Sequence, residues 1–361
     1  MQILYDGWSL SRAPGSLAGL HLQTLLSLLP SAVDAYVALP APAAVRLPAA
    51  IQQKVRPVSP SPSAHLVWQQ HMLPALAREM QAQLIHLPHP SPALFSPVPV
   101  VVSPTGMSAA AKPRPRGLFE RLRDAMAQGG MARGAWLLWP EDLPSSAAGV
   151  QRLPPAVHPA FRRLDQEPIE VNERLELPDT YIFYHGPSQP DDLSRLLGAW
   201  KWAAAPIGEQ YPLLIAGLDP VSPASFTRLL DNYDLQETVR MVNPQSIEEL
   251  SQLYQGCAAF FYPAQSDPWG EMLRAALLYE KPVVALETPL SGALVGPAGY
   301  LVPSSSNVER GLGAALITVI VEESVASGLA AAARRQTASW RLDDFPLQLE
   351  ACYRQIIDSS K

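Results

Sequence analysis

The sequence predicts an α/β protein of two Rossmann-like, doubly wound domains facing each other across a cleft. Three observations lead there. Short apolar runs alternate with longer amphipathic stretches, the pattern of parallel strands joined by right-handed crossovers. The pattern fades near residue 160 and restarts at Tyr181. The 361 residues suffice for two domains, each burying its own core. Two such units of similar size predict a ligand crevice between them.

The elements follow in order. Residues 2–5 predict a first strand, and residues 7–19 a loop carrying Pro14, Gly15 and Gly19. A helix over 20–29 places Leu22, Leu25, Leu26 and Leu29 on one face. A strand over 34–39, a helix over 66–81 and strands over 84–87 and 98–102 come next. Residues 153–161 close this half, which we bound at 1–163. Residues 164–179 are rich in acids and poor in aromatics and read as the hinge. The second domain, 180–338, predicts strands over 181–184, 213–217, 239–242, 258–263 and 282–286. Helices over 192–203, 223–232, 246–255 and 270–279 lie between them. From Val308 the chain reads as mainly helical to Ile357, with 339–361 crossing back to the first domain.

Composition narrows the functional classes. Hydrophobic residues make up 48% of the chain, ordinary for a globular protein. A net charge of -6 gives no bulk attraction to nucleic acid or to an anionic membrane, so no nucleic-acid partner is expected. The 38 prolines are scattered and stiffen loops. Cys257 and Cys352 lack metal-ligand spacing and fit a reducing compartment. No His/Asp/Glu/Cys cluster has ligand spacing either, so neither metal nor cofactor is expected. The N-terminus carries no signal-peptide pattern, and no apolar run reaches the ~18–20 residues needed to span a bilayer. A cytoplasmic protein is expected. Peripheral contact with the inner membrane face stays open, because sequence does not display surface patches.

The second half resembles the group 1 class of retaining glycosyltransferases, the family-four type with the GT-B fold. The resemblance rests on an ordered set of segments: Tyr181-Ile-Phe-Tyr-His-Gly, Leu213-Leu-Ile-Ala-Gly, Ser246 through Pro263, Trp269-Gly270, Lys281-Pro-Val-Val-Ala and Ser339-Trp340. The first half matches more weakly but in the right order, through His86-Leu-Pro-His-Pro, Val98-Pro-Val-Val-Val and residues 153–161. The resemblance implies an acceptor-side first domain and a second domain that binds the donor nucleotide. It implies hexosyl transfer from a nucleotide-sugar to a glycan or lipid-linked acceptor, in polysaccharide biosynthesis.

It also implies site residues. Departure of the diphosphate builds negative charge, which cations or a helix N-terminus must meet. Donor-binding candidates are Gly15, Ser16 and Gly19 in the first loop, with Gly186, Arg195, Gly217 and Asn243. The helix entry adds Asp267, Trp269, Gly270, Glu271, Met272 and Ala275. The amides of Gly270, Glu271 and Met272 are expected to face a phosphate. Asp267 stands where the family has its first glutamate. It also reads as a helix cap, with Trp269 as packing. Ala275 stands at the second glutamate, which removes that ribose contact. Where the family has its cationic clamp, Asp191 and Asp192 occur, acids that also suit a first helical turn. Arg195 follows one turn on. Thr105 occupies the place of the acceptor-side histidine, and His89 is a further catalytic candidate on the preceding strand end.

Two functional classes stay open. One is an active glycosyltransferase using Asp267, the Gly270 helix entry and the Gly15–Gly19 loop. The other is a catalytically degenerate relative that keeps the scaffold to bind a partner protein, a glycan or a nucleotide. A nicotinamide dehydrogenase ranks behind both, since the three-glycine fingerprint is absent.

Overall fold

The computed structural model describes residues 1–105, 118–141, 143, 150–154, 156–162, 174–218, 223–265, 267–340 and 342–360. The chain divides into two compact units. The first comprises Met1–Pro14, Ala18–Ala156 and Arg341–Lys361; the second comprises Gly15–Leu17 and Val157–Trp340.

The first unit is built on seven strands: β1 (Gln2–Asp6), β2 (Asp34–Leu39), β3 (Gln52–Val55), β4 (Leu84–Leu87), β5 (Val100–Val102), β6 (Trp136–Pro140) and β7 (Val150–Leu153). All pair in parallel, in the order β3-β2-β1-β4-β5-β6-β7. Strands β4 and β5 are buried along their whole length, as a sheet covered on both faces requires. The helices before β6 are α1 (Trp8–Arg12), α2 (Leu17–Ser27), α3 (Pro62–Val67), α4 (Leu73–Glu79) and α5 (Leu118–Ala132).

The single helix expected over 66–81 is broken. A π-helical turn, Trp68–Met72, separates α3 from α4. Pro74 explains the break: it has no N–H to give the carbonyl one turn back, so the ladder changes register just before it. The reading also passed over α1, which lies in the expected 7–19 loop, and over β3, α5, β6 and β7. Strand β3 is Gln-Gln-Lys-Val at the sheet edge, too polar to show an apolar run. Helix α5 carries Gly129 and Gly130, which weaken a helical signal.

The second unit has six parallel strands: β8 (Ile182–His185), β9 (Leu213–Ala216), β10 (Val239–Met241), β11 (Ala259–Tyr262), β12 (Val283–Leu286) and β13 (Gly299–Val302). Their order is β10-β9-β8-β11-β12-β13. Its helices are α6 (Pro190–Ile207), α7 (Pro223–Asp231), α8 (Ile247–Gly256), α9 (Glu271–Leu278), α10 (Pro289–Leu294), α11 (Val308–Val321) and α12 (Glu323–Thr337). Helix α10 and strand β13 were not anticipated. The long helical stretch from Val308 resolves into α11, α12, a 3-10 turn at Leu342–Asp344 and α13 (Phe345–Ser359). Residues 157–162, read as closing the first half, pack in the second unit, where Phe161 meets the Tyr254 ring edge-on.

Helix α13 belongs to the first unit and is fastened there by a buried polar chain. Tyr353 Oη lies 3.1 Å from Tyr5 Oη and 2.6 Å from His86 Nδ1. His86 Nε2 lies 2.8 Å from Ser103 Oγ. In both sheets the strand order reverses at one place, between β1 and β4 and between β8 and β11. Crevices at the carboxyl ends of strands open at such switch points. Among the described residues no single helix is long and apolar enough to cross a membrane.

Candidate functional site

In the second unit, β8 ends at His185 and turns at Gly186. A Cβ on Gly186 would lie 2.9 Å from the rings of Tyr184 and Tyr262, so any side chain there would have to push those rings aside. His185 is fully buried. Its Nε2 lies 3.0 Å from Gly15 O, and its Nδ1 lies 3.0 Å from Tyr254 Oη. A carbonyl only accepts, so Nε2 donates to Gly15 and Nδ1 accepts from the tyrosine. Burial lowers the His185 pKa to about 4, while the Gly15 bond and the Glu271 charge pull the other way. Gly217, just past β9, has φ +75; a Cβ there would lie 2.5 Å from the His185 ring and 2.7 Å from Gly15 O. Gly15 and Gly217 thus converge on one histidine, with Ser16 next to Gly15 in the same turn.

The opposite wall of this crevice follows β11. Asp267 is buried. Its Oδ1 accepts from the amides of Trp269 and Gly270, both at 3.0 Å, and its Oδ2 accepts from Tyr262 Oη at 3.0 Å. Burial raises the Asp267 pKa and the Glu271 charge adds to the rise; the bonds from Gly270, Tyr262 and Trp269 oppose it. Asp267 therefore shapes the entry of α9, and the Gly270 amide, expected to face a phosphate, donates to this carboxylate instead. Gly270 adopts the left-handed conformation, φ 63, that launches the helix. Trp269, Glu271 and Met272 are buried at that entry, and Ala275 is wholly buried one turn below Glu271.

Arg195 lies along the same edge. Its guanidinium pairs with Asp192 Oδ1 at 3.2 Å and donates to Pro263 O at 3.3 Å. Asp192 Oδ1 also accepts from the Gln265 amide at 3.1 Å. Asp192 is buried and anchors the loop after β11, whereas its neighbour Asp191 is exposed. Asn243 is exposed just past β10.

The first unit has its own polar cluster at its switch point. Asp6 ends β1 with 0% exposure. Its Oδ1 accepts from Trp68 Nε1 at 2.8 Å and the Trp8 amide at 3.0 Å. Its Oδ2 lies 2.7 Å from His89 Nε2. Burial by itself raises the Asp6 pKa, but the His89 bond and charge, with Trp68, bring it below the ordinary carboxylate value. Thr105 donates to Pro88 O at 2.7 Å, so the two acceptor-side candidates share one pair of loop ends. His65 stacks on Trp8, with ring centroids 4.0 Å apart, and its Nε2 lies 3.1 Å from Gln69 Nε2. Sequence reasoning missed Asp6, His65, Gln69 and His185. The signal available for Asp6 was an acid closing an otherwise apolar strand. Gly19 serves packing: a Cβ there would lie 2.4 Å from Pro14 O. Among the described residues no group of three or more His, Cys, Asp or Glu is placed to hold a metal ion.

Residues 167–336 match the family model described as glycosyl transferases group 1. No curated protein sequence matches the chain. Among solved structures, WaaG, a glycosyltransferase involved in lipopolysaccharide biosynthesis, is similar at 15% identity and TM-score 0.74, covering 98% of this chain and 99% of that one. Sucrose-phosphate synthase from Thermosynechococcus elongatus is similar at 16% identity and TM-score 0.71, with both chains fully covered. Anabaena HepE in complex with UDP and glucose is similar at 16% identity and TM-score 0.63, covering 99% of each chain.

Proposed function

We propose that this chain, whose residues 167–336 match the group 1 glycosyltransferase model and whose fold is GT-B, transfers a hexosyl group from a nucleotide diphosphate sugar to a glycan or lipid-linked acceptor, with retention at the anomeric carbon. The observation that carries the reading is the convergence at the β8/β11 switch point. Gly186, Gly217, Arg195 and the entry of α9 all end at the carboxyl edge of one parallel sheet. Such an edge binds nucleotides because glycines admit the phosphates and a helix start supplies positive potential. Arg195 would meet charge developing on the departing diphosphate, aided by the first-turn amides of α9. Uridine diphosphate sugars are the first donors to test, because the HepE structure holds UDP and glucose. On this reading the chain works in the cytoplasm, at the inner membrane face when its acceptor is lipid-linked.

A second reading, donor binding without transfer, draws support from the same edge. Both Asp267 oxygens are engaged by the chain's own groups, and Ala275 brings no carboxylate. Calorimetric titration with UDP-, GDP- and ADP-glucose separates the cases when paired with an assay of nucleotide release. Binding that weakens about tenfold in Arg195→Ala, together with release, supports transfer. Binding without release supports the second reading. No binding of any donor defeats both.

A further inference from the structure

We infer that a pocket at the amino edge of the first unit's sheet binds a small apolar anion, with its acid group on the Arg133 guanidinium. The cavity encloses about 250 Å3 between the β4–β5 connection, the end of α5 and the starts of β5 and β6. Pro92, Leu94, Val98, Pro99, Val100 and Ala135 give it a mostly apolar wall. Topology sets it apart from the cluster at Asp6. All strands of this sheet are parallel; Val100 opens β5 and Ala135 directly precedes β6, whereas Asp6 and Thr105 stand at carboxyl ends. Specific contacts fix the frame. Gln70, buried in the π-helical turn, accepts from the Leu94 amide at 2.9 Å. Ser96 Oγ donates to Val98 O at 2.6 Å. Gly129 and Gly130 weaken α5 as a helix but let it lie against the connection. A Cβ on Gly130 would fall 2.7 Å from Ala93 O, and one on Gly129 2.6 Å from Leu94 Cδ1.

Charge selects the ligand. Among the described residues, Arg133 is the charged one in the lining. Its guanidinium carbon lies 4.4 Å from the centre of the Phe95 ring, and the side chain has no acid or carbonyl partner among them. Helix capping does not occupy it. The carbonyls of Gly129 and Gly130 accept from the Arg133 amide and that of Met131 from the Gly134 amide, so α5 ends on backbone alone. The guanidinium keeps its fork of donors, which matches a carboxylate, and the aromatic face holds that fork in place. Phe95 lines the same cavity and stays 70% exposed, leaving apolar surface for a ligand to cover. Size sets the rest. The 250 Å3 equals the space of about eight waters at ~30 Å3 each and falls below the roughly 300–1,000 Å3 usual for ligand pockets. One ring or short chain with its acid group fits; a sugar nucleotide does not.

The test uses the full chain with 13C-labelled valine and three probes: 3-phenylpropanoate, octanoate and the neutral 3-phenylpropanamide. The methyl signals of Val98 and Val100, identified by Val98→Ile and Val100→Ile, should move saturably with both acids. Fragments of this size should give a Kd of roughly 0.1–5 mM. The amide should bind at least tenfold more weakly than its acid. Arg133→Gln should weaken both acids at least tenfold and leave the amide unchanged, and Arg133→Lys should recover part of the loss. Phe95→Ala should weaken all three probes. Both altered residues are exposed, so the fold is retained. Saturating UDP-glucose should leave the acid-induced shifts in place. No saturable shift at Val98 or Val100, equal binding of acid and amide, or acid binding unaltered in Arg133→Gln overturns the inference. Displacement of the acids by UDP-glucose overturns it too. None of these readouts depends on donor binding, so failure here leaves the transferase reading untouched.

Discussion

At Asp267 a single carboxylate accepts two amides and a tyrosine hydroxyl in a buried turn. Hydrogen bonds to a charged group contribute about 1.5–3 kcal/mol each, and burial of the charge costs part of that back. Asp267→Ala should therefore destabilise the second unit by roughly 2–4 kcal/mol, and Asp267→Asn by less because Oδ1 is retained. Thermal unfolding with a tryptophan probe checks the order; an Ala variant as stable as the parent contradicts the capping role. Gly217 is the second residue of this kind. Its φ of +75 already disfavours a side chain, and a Cβ would press on the His185 ring. Gly217→Ala should cost about 1–3 kcal/mol and weaken any ligand of the β8/β11 crevice. The glycine at the strand end was legible in sequence. The histidine it makes room for was not, because its partners Gly15 and Tyr254 lie 170 and 69 residues away.

At the scale of elements, α8 begins where the sequence placed it. Ser246 is its N-cap, accepting from the Glu249 amide at 3.2 Å. Ser246→Ala should cost about 1 kcal/mol, seen as a lower unfolding midpoint with an unchanged denaturant slope. Caps are legible because the motif is local. The seat of α13 is not local, since Tyr353 finds partners in β1 and β4. Tyr353→Phe removes the hydroxyl shared by Tyr5 and His86 and strands both in the core. A loss of about 1–3 kcal/mol is expected, with amide exchange accelerating first across Phe345–Ser359. Unchanged protection of that helix would show that apolar packing alone holds it.

For the molecule as a whole, pH is the revealing variable. His65 and His86 in the first unit and His185 in the second are all held neutral by burial. For His65 and His185 the folded pKa is about 4 against an ordinary 6.5. Between those values the unfolded chain binds the proton that the folded chain refuses, so stability falls as pH falls. Each of these two should remove about 2 kcal/mol between pH 7 and pH 5, with His86 acting in the same direction. Asp267, whose pKa is raised, works in the opposite sense at the acid end and offsets part of the loss. Calorimetric scans at pH 7.5, 6 and 5 should show a falling transition temperature. His185→Gln should flatten the fall for the second unit alone. A transition independent of pH in this range would mean that the histidines are not held as described.

The sequence by itself determined the α/β class, the restart of the pattern at Tyr181, most strands of both sheets and the glycine-marked strand ends. These are local properties: apolar periodicity, caps and turns act over a few residues. Group 1 resemblance was legible for the same reason, since its segments are short and ordered along the chain. Tertiary structure decided the remainder. It turned Asp267 and Asp192 inward as loop anchors, sealed Ala275 in the core, and tied Arg195 to Asp192 and Pro263. It also joined Asp6 to His89 across 83 residues. A carboxylate at a helix entry reads the same in sequence whether it faces a ligand or its own backbone. Only the partners that the fold brings within hydrogen-bond distance separate the two.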